Sequence, residues 1–231
     1  PLRKIQMFSE LSLKNIDDLP VLTKYLEKIN AAGQRMTELI KAVLNFSRVA
    51  KSNELFVEVD LNVALDNVLS DLELLIAEKN AVIKNDRLPV IIGIPLQINQ
   101  LFSNLTTNAL KFSEKAPEII ISGKIKRGTE LTEWTTANPE SSYAEIIFGD
   151  NGIGFDGRFA DKIFAIFQRL HQDKNFAGTG IGLAVCKRIV ENHNGNISVK
   201  SEPGKGTVFY IYLALGNAEV RTPVNTDEFS I

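Results

Sequence analysis

The chain of 231 residues carries 26 Lys and Arg against 28 Asp and Glu, a net charge of −2, with 44% hydrophobic and 23% charged residues. This is ordinary globular composition, long enough for one or two domains with a real core. It offers no basic field to hold nucleic acid or an anionic membrane, so neither is expected as a partner. The longest apolar stretches, such as "PVIIGI", fall far short of the roughly 20 residues that span a bilayer, and the single cysteine, Cys186, cannot close an internal disulfide, which suits a reducing compartment.

In chain order, the start "PLRKIQ" has neither an initiator Met nor a signal-like segment and reads as part of a longer protein, leaving an upstream membrane anchor open. Leu2, Ile5, Phe8 and Leu11 have helical spacing. Leu22, Leu26, Ile29, Gly33, Met36, Ile40 and Val43 then follow in alternating steps of four and three, a heptad seam on a long helix begun at Pro20 after Asp17 and Asp18. The two segments predict an antiparallel helical hairpin over residues 1–51, with too little core to stand alone. Its seam packs either on the rest of the chain or on a second copy as a four-helix bundle.

Beyond residue 52 strands alternate with helices. Strands are expected at 55–59, 81–85, 118–126, 143–149, 196–201 and 206–213, and helices at 62–79, 95–112 and 181–193. The last two strands, split by "EPGKG", form a hairpin, which points to an α+β two-layer sandwich over residues 52–215 rather than a doubly wound parallel sheet. "RGTELTEWTTANPESS" reads as a loop insertion (128–142) without chemistry, and residues 216–231 as a tail or linker.

Three stretches carry chemistry. In "QINQLFSNLTTNALKFS", on the helix that Pro95 opens, Ile98, Leu101, Leu105 and Ala109 form the buried stripe, while Asn104, Asn108 and Lys111 share one flank. An Asn oxygen can ligate Mg²⁺ beside phosphate oxygens and a Lys can neutralise phosphate; the plain alternative is a solvated polar face. "DNGIGFD" follows a strand, so Asp150 stands at a strand end where its carboxylate can accept from an exocyclic amine such as adenine's, with Gly152 and Gly154 allowing close approach; the alternative is an Asx turn. "GTGIGL" places Gly178, Gly180 and Gly182 at a helix start, where unpaired N–H groups suit phosphate. No strand of a βαβ unit leads into it and Leu183 stands where a dinucleotide fingerprint has glycine, so the Rossmann reading fails; no P-loop motif is present either. The Phe-rich, charged segment between the two glycine turns has the form of a lid over a nucleotide.

Taken in order, "NLTTNALKFS", "DNGIGFD", "IFAIFQRLH", "GTGIGLAVCKRIVENHNG" and "GKGTVFYIYL" resemble the N, G1, F, G2 and G3 boxes of sensor histidine kinases, a resemblance covering about residues 1–215. It implies a dimerisation and phosphotransfer hairpin followed by a Bergerat-type ATP-binding domain of the GHKL group. By that resemblance Asn108 is the Mg²⁺ ligand, Lys111 a phosphate contact and Asp150 the adenine anchor. Gly152 and Gly154 are the lid's first hinge and Arg169 a lid contact; Gly178, Thr179, Gly180, Ile181, Gly182 and Leu183 make the phosphate-side turn, and Thr207 neighbours the adenine pocket. Asn104 stands where gyrase-like ATPases carry a water-activating Glu, which favours transfer to a protein group over hydrolysis.

The family's H box runs His-(Asp/Glu)-Leu-x-x-Pro, and "PLRKIQMFSE" resembles what begins at that Pro, so the acceptor histidine is expected five residues before Pro1. His171 and His193 are then structural or surface histidines, and this stretch alone is not expected to phosphorylate itself. The expectation is a cytoplasmic ATP-dependent protein histidine kinase core, using ATP and Mg²⁺, homodimeric through the hairpin and passing phosphate to a response-regulator receiver aspartate. The alternative is an ATP-binding dimeric scaffold or nucleotide sensor without phosphotransfer.

Overall fold

The computed structural model describes residues 1–50, 54–131, 134, 136–170 and 178–216. They fall into two units, Pro1–Arg48 and Val49–Ile231.

In the first unit, α1 (Leu2–Lys14) and α2 (Leu19–Ala50) form the helical pair. Asn15 ends α1, and Asp18 Oδ1 accepts from the Val21 N–H at the start of α2. Phe8 packs on Tyr25 with ring centroids 5.8 Å apart, and Lys28 sits 4.7 Å over the Phe8 ring. Within residues 1–48 only Ser12 and Ala32 are buried, while on the seam Leu26 is 52% exposed and Ile40 54%.

The second unit is a helix layer on one face of a sheet. Its strands are β1 (Val57–Asp60), β2 (Val82–Asn85), β3 (Val90–Gly93), β4 (Glu118–Arg127), β5 (Ser142–Asp150), β6 (Asn196–Glu202) and β7 (Gly206–Ala214). Five of them form a mixed sheet in the order β2-β4-β5-β7-β6, parallel between β2 and β4 and antiparallel elsewhere; β1 and β3 pair separately. Alternation sorts the side chains: Ile119 and Ile121, Ile146 and Phe148, and Phe209 and Ile211 are all buried, and the cross-strand register puts them on one face. Over that face lies a helix layer in which α5 (Pro95–Lys111) packs between α3 (Leu61–Asp71) and α6 (Gly182–Asn192), with α6 against β6 and β7. The buried stripe of α5 includes Ile98, Leu101, Leu105 and Ala109, as its spacing predicts, and each large aliphatic chain so buried is worth about 1.5–3 kcal/mol.

Three features differ from the sequence expectations. The helix expected at 62–79 is two, interrupted at Leu72, with α4 covering Glu73–Glu78. Asp60 caps α3 by accepting from the Asn62 N–H at 2.8 Å, which starts the helix at Leu61. "VIIG" is strand β3, because β1 lies alongside it in antiparallel register. The insertion after β4 is also more than a polar loop. It opens with a 3₁₀ turn (Gly128–Glu130), and Trp134 packs edge-on to Tyr143 at 5.0 Å and stacks on Tyr212 at 6.1 Å, over the sheet face away from the helices. Beneath that cover Glu145, 3% exposed, is held by Lys126 at 2.8 Å and Lys124 at 3.2 Å. Burial alone would raise its pKa, but the two ammonium groups outweigh it and hold the carboxylate below its usual range.

Candidate functional site

Asp150 ends β5, and the register pairs it with Thr207 on β7, which in turn pairs with Ser201 on β6. By strand alternation the three share the helix-facing side with Phe148, Phe209 and Val199. Beside them lies a cavity of about 260 Å³, bounded by the end of α5, the loop after β5 and the start of α6. Its apolar walls come from Phe112, Ile153, Phe155, Ile163, Leu183 and Phe209; its charged groups are Asp150, Lys111 and Arg169.

At the sheet end, Asp150 Oδ1 accepts from the Gly152 N–H at 2.9 Å, and the Thr207 N–H also bonds the carboxylate. Burial raises the pKa above its ordinary 3.8 against the opposing pull of those two bonds. Two backbone hydrogen bonds hold the loop that follows. The Ile153 N–H donates to the Phe112 carbonyl at 2.8 Å, and the Ile153 carbonyl accepts from the Gly204 N–H at 2.7 Å. A Cβ on Gly152 would lie 2.7 Å from that Phe112 oxygen, and Gly154, at φ 59°, leaves no room for a Cβ against the Glu202 carbonyl. These glycines serve close approach, and Gly152 itself is off the cavity wall.

At the other end the field reverses sign. Lys111 and Arg169 both line the cavity; burial first, and the Arg169 charge second, hold the Lys111 pKa below its usual value. A Cβ on Gly178 would lie 2.7 Å from Lys111 Nζ, and one on Gly180 (φ 72°) would press on the Gln168 carbonyl at 2.8 Å. α6 begins here with no side-chain cap, and its Gly182 and Leu183 face the cavity, so unpaired N–H groups and the positive helix end add to the two cations. Gly178, Thr179 and Gly180 complete this wall. Residues 171–177, which include His171 and the last third of the segment between the two glycine turns, lie outside the described residues.

The flank of α5 divides. Asn108 and Lys111 reach the cavity, whereas Asn104 does not. Asn104 Nδ2 donates to the Gly182 carbonyl at 3.3 Å, its Oδ1 accepts from Gln100 Nε2 at 3.1 Å, and it also hydrogen-bonds the buried Cys186 thiol. Asn104 thus ties α5 to the first turn of α6. Ile181, 1% exposed, is core beneath the glycine turn. The Cys186 thiol is pushed up to about 12 by burial. His193, 2% exposed, ends α6 away from the cavity. Its Nε2 accepts from the Ile94 N–H at 3.0 Å, and its Nδ1 donates to the Ile189 carbonyl at 2.7 Å.

Sequence reasoning missed Phe112, Ile153, Phe155, Ile163, Gln168, Leu170 and Phe209 on the wall, and Ser201 behind Thr207. Ser201 was findable: in a hairpin turning at "EPGKG" it stands opposite Thr207 on the same face.

A mixed sheet covered by helices on one side, with two glycine turns about a cavity at the strand ends, is the Bergerat-type architecture of a sensor histidine kinase core. The chain belongs to the family described as "Histidine kinase-, DNA gyrase B-, and HSP90-like ATPase", whose model matches residues 93–217, more than half its length. Among its relatives is cyanobacterial phytochrome A of Nostoc sp., 42% identical over 187 residues, which are 80% of this chain and 22% of that one. Another is the signal transduction histidine-protein kinase BarA of Escherichia coli, 26% identical over 93% of this chain and 23% of that one. The chain therefore spans about a quarter of the length of these relatives. In fold it resembles the histidine kinase ThkA solved with the response regulator protein TrrA (TM-score 0.63, 22% identity, 94% of this chain, 58% of that one). It also resembles full-length ShkA in complex with AMPPNP (TM-score 0.62, 24% identity, 85% of this chain, 40% of that one).

Proposed function

We propose that the cavity binds Mg·ATP and that the chain is the catalytic core of a sensor histidine kinase. The observation that carries this reading is the polarity of one cavity among the described residues: a carboxylate, Asp150, at the sheet end, and the cations Lys111 and Arg169, with the uncapped start of α6, at the other. A triphosphate carries charge opposite to these two cations and suits an uncapped helix start. Asp150 accepts from the adenine amino group while the apolar walls cover the base. Among the described residues no cluster of His, Cys, Asp and Glu fits a metal ion, so Mg²⁺ would be held by the Asn108 oxygen together with phosphate oxygens, an all-oxygen set that suits it. The chemistry such an ion would supply is neutralisation of charge on the phosphoryl group held beside Asn108 and Lys111.

Asn104 supports transfer over hydrolysis. An amide does not take up a proton from water as a Glu would, and this one is already engaged by Gln100 and Gly182. The phosphoryl group passes to a histidine expected upstream of Pro1 and then to a receiver aspartate. The ThkA complex with a response regulator favours that partner class, and ATP as substrate favours the cytoplasmic side. No helix among the described residues is long and apolar enough to cross a membrane. Homodimerisation through α1 and α2 completes the proposal.

Calorimetry tests the site. Asp150→Ala is expected to weaken ATP and ADP alike by about tenfold or more, the worth of a hydrogen bond to a charged group. Asn108→Ala is expected to weaken chiefly the Mg²⁺-dependent part. Unchanged binding in both variants would remove the assignment.

A further inference from the structure

Behind the Asp150 and Thr207 pair, three hydrogen bonds meet on one hydroxyl. Ser201 Oγ lies 2.8 Å from the Gly206 carbonyl, 3.0 Å from the Phe155 backbone nitrogen and 3.0 Å from Thr207 Oγ1. Proton counting fixes all three directions. A carbonyl has no proton, so Ser201 donates its only one to Gly206. The Phe155 N–H can only donate, so Ser201 accepts it. The remaining bond, to Thr207, then requires Thr207 to be the donor.

The Thr207 hydroxyl proton is therefore spent away from the cavity that Thr207 lines. What Thr207 Oγ1 offers a ligand is lone pairs. Asp150, once ionised, is also acceptor-only, and strand register sets the two side by side. Their row asks a bound base for donors and offers none.

We infer that Ser201 is a specificity-determining positioning residue: by taking the Thr207 proton it makes the Asp150–Thr207 row acceptor-only, so that the site selects 6-amino over 6-oxo purine nucleotides beyond what Asp150 achieves alone. This rests on the nucleotide reading proposed above. A 6-amino group supplies two N–H donors, one for Asp150 and one for Thr207, directly or through a water. A 6-oxo group meets two acceptors and stays unpaired, and the single N1–H that accompanies it can serve only one of them. Ser201 touches no nucleotide in this scheme and acts through Thr207.

The test is calorimetry of the 231-residue chain with ATP and with inosine triphosphate, which carries the 6-oxo group, both with Mg²⁺, read as the ratio of their dissociation constants. Ser201→Ala removes the acceptor, so the Thr207 proton can turn toward the cavity and donate to the 6-oxo group. The preference for ATP is expected to fall about three- to tenfold, the worth of one hydrogen bond. Ser201→Cys, which keeps the volume but accepts weakly, is expected to shift the ratio the same way and covers the case in which the Ala variant is unstable. In a Thr207→Val background, adding Ser201→Ala is expected to leave the ratio unchanged. A purely structural Ser201 would weaken both nucleotides in proportion, and an unaltered ratio in the single variants overturns the inference. If the unaltered chain binds ATP but its ratio ignores Ser201, only this inference falls. If it binds neither nucleotide, the reading of the cavity falls first.

Discussion

Asp150 shows how one residue couples the fold to its ligand with opposite signs. Its pKa in the folded chain lies above 3.8 because burial outweighs the bonds from Gly152 and Thr207. The folded state thus holds this proton more tightly than the unfolded one. The stability contributed is complete below pH 3.8 and is lost as pH rises through the raised folded value. An adenine amino group needs the ionised carboxylate, so binding changes the other way and weakens as pH falls through that same value. The nucleotide-induced rise in Tm is therefore expected to shrink on acidification beginning above pH 3.8, while an Asp150→Asn chain shows a smaller rise without that acid limb. A limb of the same shape in both chains would assign the titration to another group. Nearby, burial holds the Cys186 thiol protonated against the opposing pull of its bond to Asn104, and Asn104 is held by Gln100 and Gly182.

Among the elements, α2 is the least satisfied. A helix of 32 residues carries its apolar seam with Leu26 and Ile40 more than half exposed, Leu44 54% exposed one residue past Val43 at the seam's end, and only Ser12 and Ala32 buried within residues 1–48. A continuous apolar stripe of this kind is normally covered by another helix pair. Sedimentation at tens of micromolar is expected to show a dimer, and Ile29→Glu combined with Ile40→Glu should weaken it by at least about a hundredfold, taking about 1.5 kcal/mol per lost aliphatic contact. A monomeric parent chain at that concentration would refute the bundle. The opposite case is α6, whose ends are both committed: its start faces the cavity, and its last turn is locked through His193 to the Ile94 N–H that precedes α5.

At the scale of the whole molecule, nucleotide binding and phosphotransfer are expected to separate. In-line transfer needs a free imidazole nitrogen about 3–3.5 Å from the phosphorus. Both ring nitrogens of His193 are engaged and the ring is buried, so it is neither exposed nor available as a nucleophile. The chain has only one other histidine, His171, and it lies in the segment that resembles a lid, outside the described residues. With radiolabelled Mg·ATP this chain is expected to acquire no stable label. The same chain extended upstream through the expected H box should acquire label that is acid-labile and alkali-stable. Label on the present chain that disappears with His171→Ala would move the acceptor into the second unit.

The sequence determined by itself what is local or periodic. The heptad of α2, the buried stripe of α5, the final hairpin and the glycine turns are all patterns within a few turns of chain, where side-chain spacing dictates which face is apolar. Only the tertiary structure decided what depends on partners distant in sequence. "VIIG" became β3 because β1, about thirty residues earlier, offered it a ladder. Trp134 became a cover because Tyr143 and Tyr212 stand together beneath it. Asn104 and Asn108, alike in sequence and one helical turn apart, parted company because the carbonyl of Gly182 lies within reach of the first and the open cavity beside the second. Spacing sets the direction a side chain points; which group occupies that direction is fixed only when strands and helices far apart in the chain close on each other.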